Sequence, residues 1–188
     1  MSEDQVGKAI KEAFLFFKQI FSDTARLLSI VEESMNRHKL TALWGSAAMW
    51  DRSYAFYGDH GWIVHYLSRL FVKLPQKDKK TSFAEEKKGA FVNVYFEPEK
   101  LSEPIIVYGI ITSIDDDIWP AWRSLLAVNE GPEFVTSERV SDWTKYEVIG
   151  RHTLLYKVLP LTDVKNKEIV ESICDETVVM YNLEKPMS

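Results

Sequence analysis

Apolar residues recur through the first forty positions in alternating steps of four and three: Ile10, Phe14, Phe17, Phe21, Thr24, Leu28, Val31 and Met35. That spacing returns to one side of a helix at each turn and forms a heptad seam with one polar member. A second row, Ala9, Ala13, Phe16, Ile20 and Leu27, widens the stripe beyond what a two-stranded coiled coil uses. The width predicts a helix that lies against its own sheet. Ser2 and Gln5 form a capping box, Glu3 and Asp4 suit the positive end, and Arg37, His38 and Lys39 suit the negative end. One long helix over residues 1–39 is therefore predicted, with Ser22-Asp23-Thr24 as a competing cap that would split it in two. The face carrying Phe14, Phe17 and Phe21 is expected to be buried, within this chain or against a second copy. If that site is core, Phe17→Ala costs about 3–5 kcal/mol.

From Trp62 the period shortens and β-branched and aromatic residues dominate. Runs at Val64–Leu74, Ala90–Phe96 and Ile105–Ile114 read as a strand meander over residues 62–114. In the second run Val92, Val94 and Phe96 alternate with Phe91, Asn93, Tyr95 and Glu97, which predicts a buried face made of the first three. The link from Glu97 to Pro104 is too short for a helical crossover, so the second and third runs form an antiparallel hairpin. Asp117 as cap, Pro120 in the first turn and Gly131 beyond the end mark a helix over 118–128, with Trp122, Leu125 and Leu126 inward. Strands are predicted at Lys145–Ile149 and His152–Leu159, within 145–159, joined at Gly150-Arg151 by a tight turn or a bulge. Asp163 caps a last helix over 163–182 that carries Val164, Ile169, Val170, Ile173 and Cys174. The expected fold is a single α+β domain over 1–188. A long N-terminal amphipathic helix and two shorter helices pack on a mainly antiparallel sheet of about five strands.

Composition narrows the setting. With 46% apolar residues in 188, the chain can bury about 70% of its unfolded surface in one core. One cysteine, Cys174, excludes an internal disulfide, and the opening MSEDQVGK lacks the apolar core of a secretory signal, so a reducing, cytoplasmic location is expected. No stretch reaches the roughly 20 apolar residues that span a bilayer. A net charge of −5 opposes broad nucleic-acid binding, which depends on neutralising phosphates.

Candidate chemistry concentrates in one place. Seven aromatics, Trp44, Trp50, Tyr54, Phe56, Tyr57, Trp62 and Tyr66, fall within 23 residues, interleaved with Asp51, Arg52, Asp59, His60 and His65. Such a segment builds either a corner of the core or an apolar pocket with a few polar groups. The pocket candidates are Trp50, Asp51, Arg52, Tyr54, Tyr57, His60, Trp62 and His65. Trp50 is expected inside, and Tyr57, His60 and Trp62 near a surface groove at the Gly58–Gly61 turn. His60 and His65 stand about 140° apart on a helix and on opposite faces of a strand, so neither element brings them to one ion. Asp59 with His60, and Asp115 with Asp116, come nearest to a metal site, yet neither has ligand spacing. No metal and no cofactor is expected. The Lys73–Lys88 stretch, six lysines against three acids, reads as a solvated loop. Cys174 lies on the apolar face of the last helix, and Asp175 and Glu176 beside it disfavour a thiolate.

No pattern fixes a reaction. The first functional expectation is a non-catalytic protein-interaction or regulatory domain, homodimeric if the seam pairs with a second copy. The alternatives are a small-molecule-binding sensor built on residues 44–66 and a hydrolase using the nearby carboxylates and histidines.

Overall fold

The computed structural model describes residues 3–43, 66–73, 87–96, 101–113, 139–148 and 152–184. The heptad seam forms one uninterrupted helix, α1, Glu3–Arg37. The competing cap does not break it because its oxygens are used inside the helix. Gln19 donates to the Asp23 carboxylate at 2.9 Å, and the Thr24 hydroxyl donates to the Ile20 carbonyl at 2.8 Å. Ser2, the proposed cap, lies outside the described residues. The helix stops two residues short of position 39: Lys39 takes a left-handed φ of 64°, and the Leu40 amide closes back on the Met35 carbonyl at 3.1 Å.

Among the described residues six strands follow: β1 (Thr41–Ala42), β2 (Tyr66–Val72), β3 (Lys88–Tyr95), β4 (Ile105–Ser113), β5 (Val140–Val148) and β6 (His152–Pro160). They form one antiparallel sheet in the order β1-β2-β3-β4-β6-β5. The class is α+β, with one strand more than expected. The β3–β4 hairpin is present, pairing Tyr95 with Ile105. β5 starts five residues before the predicted Lys145, after an irregularity between Val140 and Thr144. Burial in β3 corrects the one-faced reading, since Phe91, Asn93 and Tyr95 are as fully buried as Val92 and Val94. β3 is an interior strand with apolar residues on both sides, so neither face meets water. The predicted helix over 118–128 lies outside the described residues.

The second described helix, α2, spans Lys167–Leu183 and packs beside α1 on the face that carries Ala90, Val92, Ile106 and Ile110. Its cap is Asn166, whose side chain accepts from the Ile169 amide at 3.0 Å, rather than Asp163. Asp163 instead ends a 3-10 turn, Leu161–Asp163, and lies 3.0 Å from Arg139, so Val164 precedes the helix. The far end of α2 is held by Lys88. This residue is the first of β3 and not part of a solvated loop. It is 5% exposed, and its ammonium donates to the Tyr181 carbonyl at 2.7 Å and the Glu184 carbonyl at 2.9 Å. The same nitrogen sits 4.4 Å from the Tyr181 ring centre. A cation at a helix C-terminus meets both the unpaired carbonyls and the negative end of the dipole.

Length separates α1 into two halves. Its 35 residues extend about 52 Å, whereas a nine-residue strand extends about 30 Å. From Thr24 the stripe is covered: Leu28, Val31 and Met35 are at most 2% exposed. Phe21 meets Phe96 edge-on at 5.8 Å. Toward the N-terminus, every side chain from Gln5 to Gln19 is exposed. The expected burial of Phe14 and Phe17 within the chain is thereby corrected, because the helix outruns the layer it packs on. Replacing Phe17 by alanine should now cost under about 1 kcal/mol in dilute denaturant unfolding. A loss of 3 kcal/mol would return Phe17 to the core.

Candidate interaction surface

The uncovered half of α1 is not polar. Phe14 is 63% exposed, Phe16 64%, Ile10 52% and Val6 39%, with Phe17 at 37%. At about 100° per residue Val6, Ile10 and Phe17 fall on the arc that Leu27, Leu28, Val31 and Met35 use against the sheet, and Phe14 and Phe16 flank it on either side. One continuous apolar stripe is therefore half core and half surface. Contiguous exposure of this kind marks a contact surface in a monomeric chain.

Where α1 leaves the sheet, a groove of about 640 Å³ opens in the corner. Phe16, Ile20, Leu27 and Ile30 form its wall on α1, and Pro104, Leu161, Val164 and Val170 form the opposite side. Asp23, Arg26, Lys165 and Lys167 stand around it. The apolar floor suits a nonpolar side chain, and the rim has a net charge of +2 from these four residues. The second apolar row of the sequence was the signal for this corner, since Phe16, Ile20 and Leu27 belong to it. The opposite wall was not legible, because Leu161 and Val164 sit in the turn read as the start of a helix.

The pair α1 and α2 is locked away from the groove. Arg37 donates to Glu171 at 2.6 Å and His38 lies 3.0 Å from Asp175, which uses the basic helix end that the sequence reserved for the dipole. Hydrogen bonding to Arg37 holds the Glu171 carboxyl below its ordinary range. Beneath α1, the Arg69 side chain is only 10% exposed, and burial pushes its guanidinium below its usual value. Glu32 lies 3.8 Å from it and partly offsets that cost.

Nucleophilic and acid–base candidates are tied into packing. Cys174 is fully buried, and desolvation raises its thiol to about 12, against a smaller opposing effect of Ser34. At neutral pH it is a small apolar group. On the sheet face away from the helices, the Ser68 hydroxyl donates to the Asn93 side-chain oxygen, and the Asn93 amide donates to the Tyr95 hydroxyl at 3.1 Å. Burial holds the Tyr95 phenol well above its ordinary range, and its ring lies 6.1 Å from that of Tyr66. This network satisfies polar atoms at 0% exposure and specifies one packing of the core. Across the sheet, Tyr108 packs edge-on against Trp143 at 6.1 Å, and Lys157 pairs with Glu176 at 2.8 Å.

Of the sequence candidates, Trp50, Asp51, Arg52, Tyr54, Tyr57, Asp59, His60, Trp62, His65, Asp115 and Asp116 lie outside the described residues, as do Trp44 and Phe56. Tyr66 alone of the aromatic segment is described, and it is core, 6% exposed. Among the described residues no three His, Cys, Asp or Glu side chains are grouped to hold a metal ion. Among them, too, no helix is long and apolar enough to cross a membrane. Compared with protein-family models, curated proteins and solved structures, the chain finds no match.

Proposed function

We propose that this chain is a non-catalytic protein-interaction domain whose docking element is the N-terminal half of α1 together with the groove at its root. The observation that carries the reading is the continuity of the α1 stripe, covered by the chain's own sheet from Thr24 onward and uncovered from Val6 to Phe17. A rigid apolar helix face beside an apolar groove is a recurrent means of protein recognition. Water around three exposed phenylalanines on one helix is costly, and covering them returns about 25 cal/mol per Å². A reducing compartment such as the cytoplasm suits the chain's one thiol, which is used here as packing.

The test is photo-crosslinking in cells with benzoylphenylalanine at position 14, compared with position 145, whose lysine is 58% exposed on β5. Adducts to protein at position 14 and few at position 145 are expected. Equal yields at the two positions, or adducts only to lipid at position 14, would overturn the reading.

A further inference from the structure

Resting on that reading of α1, we infer that the occupant of the exposed face is a second copy of this chain, bound antiparallel through its own α1.

Three observations lead there. The first is area. Phe14, Phe16 and Phe17 leave about 330 Å² of residue surface open, and Val6 and Ile10 bring the total of the five to about 500 Å². A stable interface buries about 800 Å² per partner, of which about 60% is apolar. The open face is thus the size that one self-complementary interface requires.

The second is direction. The stripe left open before Phe21 is the stripe that lies on the sheet after it, so each copy's own sheet occupies the space beyond that point. Two parallel helices sharing the face would drive the two sheets into the same volume. Antiparallel helices put them at opposite ends, with the overlap centred between Ile10 and Phe14, so that Val6 of each copy lies near Phe17 of the other. Two-fold symmetry then matches each copy's face to the other's, as an isologous contact demands.

The third is shape. The overhang and the edge of the sheet layer form a step, and the groove lined by Phe16, Ile20 and Leu161 sits in its corner. A helix about 10 Å wide fits along a step. A flat bilayer does not, because the sheet side of the molecule holds it off the helix face.

The experiment uses the full chain. Sedimentation equilibrium at about 100 µM, a hundredfold above a 1 µM Kd, should give twice the 21.8 kDa chain mass. Phe14→Asp with Phe17→Asp should weaken association at least about 100-fold while the unfolding midpoint at low concentration stays put. Leu15→Asp, at a residue 56% exposed on the other side of the helix, should leave it intact. In the dimer, nitroxides at the exposed Lys18→Cys should lie about 22 Å apart if the helices are antiparallel, and under about 15 Å if parallel. A monomer at 100 µM overturns the inference, as does the parallel distance. A monomer that crosslinks a different protein at position 14 overturns the second copy and leaves the docking element standing. A monomer that binds phosphatidylcholine–phosphatidylglycerol vesicles overturns both.

Discussion

Gly109→Ala is expected to lose about 3 kcal/mol of stability, a large part of what a domain of this size possesses. A methyl group there would lie 2.0 Å from the Leu155 carbonyl oxygen and 2.9 Å from the Tyr156 α-carbon. Both are backbone atoms, so no side chain can rotate away. β4 is held between β3 and β6, and β6 between β4 and β5, so neither strand can withdraw without breaking a ladder on its far side. Gly7→Ala makes the contrast. No atom lies within 4 Å of a methyl group at position 7, and the helix should gain about 0.5–1 kcal/mol. Urea midpoints for the two variants should move in opposite directions. A Gly109→Ala protein as stable as its parent would mean that β4 and β6 stand farther apart than their register indicates.

The second large effect is expected at Lys88. Lys88→Met keeps most of the aliphatic stem and removes the ammonium, which leaves the Tyr181 and Glu184 carbonyls without their donor. Charge-assisted hydrogen bonds at a helix end of this kind are worth about 2–4 kcal/mol together. Lys145→Met, in an exposed pair with Glu147, should change stability by less than about 0.5 kcal/mol. Amide exchange locates the cause: the last turn of α2 should open faster in Lys88→Met while the Ile169 amide at the other end keeps its protection. Uniform acceleration along α2 would make the lysine a general packing residue and not a cap.

Strand positions were legible because alternation and β-branching are local properties. Of five predicted strands, all five are present within a few residues, from β2 at Tyr66–Val72 to β6 at His152–Pro160. The stripe on α1 was legible for the same reason. What covers it was not, since periodicity defines a face and says nothing of how far the facing layer extends. Phe14 and Leu28 occupy equivalent heptad positions, yet one is 63% exposed and the other 2%. Lys88 was hidden among the lysines of its neighbourhood, because charge density in the chain does not record that a helix terminus arrives from 93 residues away. Asp163 and Asn166 are both good caps three residues apart, and the choice fell to the 3-10 turn that Pro160 leads into.

The side-by-side packing of α1 and α2 also bears on the order in which the chain is made. Arg37 and Glu171 are 134 residues apart, so α1 leaves the ribosome long before its neighbour exists. At roughly 5–20 residues per second the wait is about 7–27 s. Throughout that interval the covered half of the stripe, Leu28 and Met35 included, has only the sheet strands to pack on and lacks α2. The cluster that buries Leu28 and Met35 is therefore closed last, by Val170, Ile173 and Cys174 of α2.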